Sequence, residues 1–163
     1  MTSRTQALIP IAAAAVIIGI VGMLSIPSDS KLELVEFPRG TIKVDDIVLE
    51  VQIADTGPRQ VRGLMFQDQL PYDQGMIFVY NEPGVYSLWM LNMQFSIDMI
   101  WFDENGSIVH IEKNIPPCKK PIEIMACQSI VPSGDALYIL EITAGFIDEF
   151  NITKDSKLSI ISI

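Results

Sequence analysis

Apolar and polar residues alternate along much of the chain after residue 46, with the two-residue period of a β-strand. Between Ile47 and Ile53, for example, Leu49 and Val51 share one face and Glu50 lies on the other. Similar apolar runs predict six further strands: Met76–Tyr80, Tyr86–Met93, Ser96–Phe102, Ser107–Ile111, Leu137–Ile142 and Leu158–Ile163. Asn105-Gly106 predicts a tight hairpin turn between two of them.

Two short segments have helical spacing instead. The first begins near Asp55 with a capping residue and Pro58 in its first turn, and it is followed by apolar residues at i, i+3 and i+4. These residues are Val61, Leu64 and Met65. The second begins at Thr143 and is predicted to bury Phe146, Ile147 and Phe150. We therefore predict a mainly β (β-rich α+β) domain, built as a compact antiparallel sheet or half-closed barrel with two short helices.

The N-terminus differs from the rest of the chain. Ala7 to Leu24 is an eighteen-residue run without a charged side chain, and Arg4 precedes it. A helix of this length crosses a bilayer core of roughly 30 Å, and its positive end stays in the cytoplasm. We predict one transmembrane helix in the cell membrane, with a cytoplasmic N-terminus and an extracytoplasmic C-terminal domain. A cleaved signal peptide is the alternative, and it places the domain on the same side.

These patterns divide the chain into three parts. Residues 1–30 hold the membrane anchor and the start of a stalk, residues 31–46 continue the stalk, and residues 47–163 form the β-rich domain. The stalk assignment rests on a mixed composition that includes Pro38 and Gly40.

The chain is acidic, with a formal net charge of −9 at pH 7. A surface of this sign repels nucleic acid and anionic lipid head groups, so we expect no nucleic-acid partner. The membrane, through the N-terminal helix, and a small polar ligand or an envelope protein are the expected partners.

The two cysteines, Cys118 and Cys127, lie nine positions apart in the outer domain. In an oxidising compartment such a pair is expected to form a disulfide. A zinc site requires about four ligands, whereas the chain has one histidine, His110. We expect no bound metal and no cofactor, although methionine and cysteine sulfurs leave a copper-handling role as an alternative. Filling of the core explains the methionines better. Those after the anchor are Met65, Met76, Met90, Met93, Met99 and Met125.

Several short blocks occur in one order along the outer domain. They include Arg62-Gly63-Leu64-Met65-Phe66, Gly75-Met76-Ile77-Phe78, Trp89-Met90-Leu91-Asn92, Ile97-Asp98-Met99-Ile100, Pro116-Pro117-Cys118 and Tyr138-Ile139-Leu140-Glu141. In these blocks the chain resembles the domain of unknown function 192 family, also called uncharacterised protein family 0127, over about residues 47–163. The resemblance implies a small exported or membrane-tethered β-rich domain, and it implies no reaction. Leu91 stands where the family often has a lysine, so an anion-binding role for that lysine does not carry over. The spacing between the two cysteines is also wider than expected of the family.

Asp98 and Glu141 are carboxylates at apolar strand positions, where a charge is costly unless it is paired or hydrogen-bonded. Arg62, before Gly63, is the expected counter-ion. One hypothesis is a structural cluster in which Arg62 joins its helix to the sheet. The other is a pocket in which the two acids bind a polar ligand or act as an acid/base pair. We expect a scaffold role for Arg62 with Glu141, and partial solvent access for Asp98.

Asn92 and Trp89 occupy neighbouring strand positions, and a tryptophan beside an amide and a carboxylate is a common way to hold a small polar ligand. The alternative is a core tryptophan and a turn asparagine. Asn105 and Asn151 begin glycosylation sequons in a domain predicted to face outward.

The sequence thus predicts a membrane-anchored extracytoplasmic binding or accessory domain of unknown ligand, rather than an enzyme. A hydrolase that uses Asp98 and Glu141 remains an alternative, as does the copper-handling protein. The candidate binding residues are Asp98, Glu141, Arg62, Asn92 and Trp89.

Overall fold

A computed structural model describes residues 35–118 and 127–163. The predicted membrane anchor, at residues 1–30, lies outside the described residues. Seven strands are present: β1 (Arg39–Val44), β2 (Ile47–Ala54), β3 (Gln74–Gly84), β4 (Ile97–Phe102), β5 (Ile108–Ile115), β6 (Ala136–Thr143) and β7 (Leu158–Ser162). Two short helices, α1 (Gly57–Arg62) and α2 (Phe146–Glu149), accompany them. Within the described ranges, no helix has the length and apolar character needed to span a membrane.

The strands form one sheet in the order β5-β4-β6-β3-β2-β1-β7. The predicted mainly β class with two short helices is confirmed. The sheet is mainly antiparallel, as expected, but it is mixed, because β2 pairs with β3 in parallel. Helix α1 forms part of the connection that returns the chain to the start of β3. The sheet is open: its outer strands β5 and β7 are not neighbours, and Ser107 and Lys157, which precede them, form a single isolated bridge.

The first strand falls within the range for which we predicted a stalk. β1 pairs with β2 over its whole length, from Arg39 opposite Gln52 to Val44 opposite Ile47. Its alternate residues Ile42 and Val44 are fully buried. The sheet therefore begins before residue 47.

A strand was predicted over Tyr86–Met93, and this is wrong. The segment pairs only at isolated bridges, Leu88 with Ile130 and Leu91 with Cys118. We call residues 86–93 the wall segment, because it covers the sheet instead of extending it.

Both helices are shorter than their apolar spacing indicated. α1 has Pro58 in its first turn, as predicted, but its Val61 is 46% exposed, and Leu64 and Met65 are buried after the helix has ended. Thr143 belongs to β6, so α2 starts three residues later than predicted. Phe146 and Ile147 are buried as predicted, whereas Phe150 is partly exposed.

The sheet is covered on both faces. On the α2 face, Phe146 and Ile147 pack with Ile100, Phe102 and Leu140. On the opposite face, which we call the pocket face, the wall segment contributes Leu88, Met90 and Met93 to a second cluster. That cluster also contains Met76, Phe78, Met99, Trp101 and Ile139 of the sheet. Because both faces are buried, β4 has no exposed residue.

Candidate functional site

A cavity of about 230 Å³ lies on the pocket face, between α1, the turn after it, the wall segment and the sheet. Three of the five predicted binding residues line it: Arg62, Trp89 and Glu141. The rest of the lining is mostly apolar and includes Leu64, Met65, Phe78, Leu88 and Met93, with Tyr80 as a further polar residue. The cavity therefore combines an apolar wall with a few polar groups, as ligand sites commonly do.

Glu141 lies deep in this cavity. It is on the central strand β6, where it is paired with Met76 of β3 and Met99 of β4, and only 3% of it is exposed. Burial raises the pKa of its carboxyl group to about 8, and a hydrogen bond from the backbone N–H of Leu64 opposes that rise. Among the described residues, its Oε2 has no hydrogen-bond partner. At neutral pH this side chain is therefore mainly a neutral carboxylic acid.

The turn after α1 brings the backbone to Glu141. Gly63 has a φ of +47°, in the region that glycine adopts at least cost, and the chain reverses there so that the next N–H meets the carboxyl group. A Cβ at position 63 would lie 3.7 Å from Oε2 of Glu141 and 3.4 Å from the ring of Phe78. Arg62-Gly63-Leu64 is therefore the segment that packs α1 onto the acid.

Arg62 and Tyr80 are further polar residues of the cavity, whose lining also includes Gln60 and Ser87. Arg62 is 6% exposed, and its Cζ lies 5.0 Å from the centroid of the Phe66 ring, at a distance typical of a cation–π contact. Tyr80 stacks on Tyr86 with ring centroids 3.5 Å apart. Burial, followed by the charges of Glu141 and Tyr86, raises the pKa of the Tyr80 hydroxyl well above its usual value.

Trp89 is the exposed aromatic residue of the lining. It is 44% exposed, in contrast to the fully buried Trp101, so the core position expected for Trp89 as the alternative is wrong. The wall segment that carries Trp89 is held from outside by backbone hydrogen bonds. The N–H of Cys118 donates to Met90 O, and Leu88 and Ile130 exchange two bonds of 3.1 and 2.7 Å.

The sulfurs of Cys118 and Cys127 lie at a bonded distance of 2.18 Å, and their Cα atoms are 6.0 Å apart. Both values fit the predicted pairing. Cys118 is hydrogen-bonded to Met90 of the wall segment, and Ile130, which follows Cys127 closely, is hydrogen-bonded to Leu88. The disulfide therefore supports the side of the cavity formed by Leu88 and Trp89.

Asp98 lies elsewhere, and the expectation of partial solvent access is wrong. Asp98 is fully buried on the α2 face. Its Oδ1 accepts a 2.8 Å hydrogen bond from the N–H of Asn114. Its Oδ2 accepts bonds of 3.1 and 3.0 Å from the N–H groups of Gly145 and Ile147. The carboxylate thus fixes the start of α2 and the end of β5.

The two acids are separated by the sheet itself. Register pairs Asp98 with Ile142 and Met99 with Glu141, so adjacent residues of β4 and β6 place the two carboxyl groups on opposite faces. An acid/base pair acting on one bond requires both groups to reach the same substrate. This geometry does not support the hydrolase alternative.

Asn92 has a φ of +56°, and its carbonyl accepts hydrogen bonds from the N–H of Phe66 and from the Gln94 side chain. It joins the wall segment to the turn after α1 through its backbone, as the alternative of a turn asparagine predicts.

The sequon residues Asn105 and Asn151 are both exposed. His110 is partly buried beside Glu112, with 3.0 Å between Nε2 and Oε1.

Within residues 35–118 and 127–163 no group of three or more His, Cys, Asp or Glu side chains could hold a metal ion. The described methionines, Met65, Met76, Met90, Met93 and Met99, are all buried in the core. This agrees with core filling and gives no support to the copper alternative. Met125 lies outside the described residues.

Sequence reasoning missed Leu64 and Tyr80 as members of the site. Leu64 contributes through its backbone N–H, which no side-chain pattern reveals. Tyr80 ends a predicted strand, and its polar tip beside an apolar run was the feature that could have indicated it.

Comparison with known proteins agrees with this architecture. Residues 40–160 match the DUF192 family model, described as uncharacterized ACR. The chain belongs to the DUF192 family. A UPF0127 protein of Thermococcus sibiricus is 32% identical over 101 residues, which cover 62% of this chain and 59% of the archaeal protein. The matched region thus spans less than two thirds of that DUF192 relative.

Two crystal structures share the fold. A Sinorhizobium meliloti protein, described as a proposed transcription regulator, has a TM-score of 0.69 at 23% identity, covering 77% of this chain and 96% of its own. A Novosphingobium aromaticivorans protein of unknown function has a TM-score of 0.67 at 26% identity, covering 74% and 84%. The DUF192 domain described here therefore has an architecture found in solved bacterial proteins.

Proposed function

We propose that this DUF192 protein is a membrane-anchored, extracytoplasmic binding or accessory domain, and that its cavity at Glu141 binds a small polar ligand. The observation that carries the proposal is the position of Glu141. It is a buried acid that lines a cavity and has an oxygen without a hydrogen-bond partner among the described residues. A buried polar atom in this condition costs on the order of 1–3 kcal/mol, and a bound molecule can recover that energy.

A purely structural acid would be held differently. Asp98, in the same sheet, accepts three hydrogen bonds from backbone N–H groups and is not among the described residues that line the cavity. Glu141 receives the Leu64 N–H, and burial raises the pKa of its carboxyl group to about 8. A perturbed acid in a cavity is the usual property of a functional group, and it supports a binding role for Glu141 with Arg62 and Trp89 beside it.

The extracytoplasmic location is inferred from the N-terminal sequence. The uncharged run Ala7–Leu24 with Arg4 before it favours a helix whose C-terminal side is outside the cytoplasm. The cysteine pair at bonding distance is consistent with an oxidising compartment. Partners in this proposal are the membrane, a small ligand and an envelope protein. The net charge of −9 disfavours nucleic acid as a partner.

Binding can be tested on the full-length protein in a mild non-ionic detergent, with Trp89 as the reporter. Because Trp101 is buried and Trp89 is 44% exposed, a molecule entering the cavity should change mainly the emission of Trp89. We expect at least one class in a panel of neutral sugars, amides, carboxylates and amines to shift the emission and raise the melting temperature. The emission change should be lost in Trp89→Phe. Both effects should weaken in Glu141→Ala but persist in Glu50→Ala, a matched control on exposed β2 surface.

If no compound in the panel changes either observable, the binding proposal is wrong.

Location is tested separately. Protease added to intact cells should remove the part of the chain after Ser30 and leave a membrane-bound N-terminal fragment. Recovery of intact protein from the soluble cytoplasm would contradict the anchored topology.

A further inference from the structure

We propose that the cavity recognises a small monocarboxylate with a short apolar chain, its carboxylate received by Arg62, Glu141 and Tyr80. This inference rests on the proposed function of the same cavity and adds the chemical class of the ligand. It follows from the hydrogen-bonding character of the three titratable side chains and from the apolar residues of the lining.

Arg62 can only donate. Its guanidinium carries five N–H groups and no acceptor, so it can serve a ligand alongside its contacts within the protein. It is 6% exposed and lines the cavity, and a planar carboxylate is the group that a guanidinium binds with two parallel hydrogen bonds. Its positive charge also disfavours a cationic ligand at this position.

Glu141 is arranged as a donor as well. Its carboxyl group already accepts the N–H of Leu64, whereas Oε2 has no partner among the described residues. One oxygen therefore acts as the carbonyl-type acceptor. The other, Oε2, is the oxygen on which the proton of the neutral acid is expected. A neutral carboxylic acid donates through that O–H, and a ligand at Oε2 must accept it.

Tyr80 adds a third donor. The titratable side chains among the described residues that line the cavity are Arg62, Tyr80 and Glu141, and Tyr86 stacks on Tyr80 from the wall segment. With the Tyr80 hydroxyl and Glu141 both protonated at neutral pH, all three groups can donate a hydrogen bond to a ligand, Arg62 alongside its contacts within the protein. Donors that include a guanidinium are complementary to an oxyanion, which only accepts.

The rest of the lining determines the size of the ligand and the apolar character of its chain. Leu64, Met65, Leu88 and Met93 are almost fully buried beside the polar groups, whereas Val61 and Trp89 are exposed. At about 230 Å³ the cavity is smaller than the roughly 300–1,000 Å³ of typical drug-sized sites. A short-chain carboxylate suits it better than an oligosaccharide or a peptide.

The test compares three probes of nearly equal shape: butanoate, butanamide and butylammonium. Each is titrated into the full-length protein in non-ionic detergent at pH 6.5, with Trp89 emission and calorimetry as readouts. We expect butanoate to bind at least tenfold more tightly than the other two. Stronger binding of the amide or the ammonium probe would overturn the carboxylate assignment and leave a binding cavity in place. Absence of binding by all three would overturn the assignment too, whereas the wider panel above decides the binding function separately.

The pH dependence of butanoate binding tests the part played by Glu141. Above about pH 8 this acid ionises, and its charge then opposes that of the ligand. We expect affinity at pH 9.5 to be at least tenfold lower than at pH 6.5. Glu141→Gln retains an N–H donor, so it should bind butanoate at both pH values with a flat profile, whereas the matched control Glu50→Gln should keep the wild-type profile. A flat profile in the wild-type protein would overturn the role of Glu141, and this measurement does not depend on any variant folding.

Discussion

Replacing Glu141 by glutamine should stabilise the domain, by an amount that grows with pH. Burial raises the pKa of Glu141 from 4.5 to about 8 in the folded protein. Below pH 4.5 the acid is protonated in both the folded and the unfolded chain and contributes no pH dependence. Between pH 4.5 and 8 the unfolded chain ionises while the folded one does not, so wild-type stability falls by about 1.4 kcal/mol per pH unit. Above pH 8 the loss is complete.

The whole loss amounts to about 5 kcal/mol, which is large beside the 5–15 kcal/mol stability of a typical domain. Glutamine does not ionise and has almost the same shape. The variant should therefore match the wild type within about 1 kcal/mol near pH 4.5 and exceed it by several kcal/mol at pH 8. If Glu141 were instead a buried ion pair with Arg62, the substitution would destabilise the protein at pH 7 by about 3–5 kcal/mol.

The measurement is urea unfolding of the full-length protein in detergent at pH 4.5, 6, 7 and 8, followed by circular dichroism. Glu50→Gln controls for the general effect of removing one negative charge, because this residue lies on exposed surface of the neighbouring part of the sheet. Only the difference between variant and wild type is interpreted, since other groups titrate in both. Parallel stability curves for the Glu141→Gln variant and the wild type would refute the reasoning.

Two further substitutions should have the opposite sign. Asp98→Asn should destabilise by about 2–4 kcal/mol in urea unfolding at pH 7, because an amide cannot accept all three backbone N–H bonds; unchanged stability would show that those bonds contribute little. Cys118→Ser should lower stability by roughly 2–3 kcal/mol and leave the sheet folded, as judged by the melting temperature and far-UV circular dichroism. Mass mapping without reductant should show Cys118 joined to Cys127, and two free thiols there would contradict the bridge.

The fold class could be predicted from the sequence because strand alternation is a local property. The prediction of individual strands failed where tertiary pairing decides whether an apolar segment joins the sheet. Tyr86–Met93 has the apolar content of a strand, but its residues are buried by lying across the sheet, with bridges only at Leu88 and Leu91. β1 was overlooked for the reverse reason. Pro38 and Gly40 suggested a stalk, whereas Ile42 and Val44 fill the α2 face.

The candidate site was predicted in part, since three of the five predicted binding residues line one cavity. Alternation along each strand implies that Asp98 lies on the same face as Ile100 and Phe102, and that Glu141 lies on the same face as Ile139, and the structure agrees. What alternation could not give is the register between β4 and β6. That register pairs Met99, and not Asp98, with Glu141, and it turns the two acids to opposite sides.

The supply of backbone N–H groups explains why two acids buried in one sheet have different roles. Around Asp98, Asn114 and Gly145 adopt positive φ values of 53° and 94°, and their N–H groups and that of Ile147 converge on one carboxylate. Those N–H dipoles replace the water that would otherwise solvate the carboxylate, so the buried Asp98 has a structural role. Glu141 receives the Leu64 N–H and faces a cavity with its other oxygen. Its burial is therefore compensated only in part within the described structure, and the remaining deficit is what a ligand carboxylate would remove.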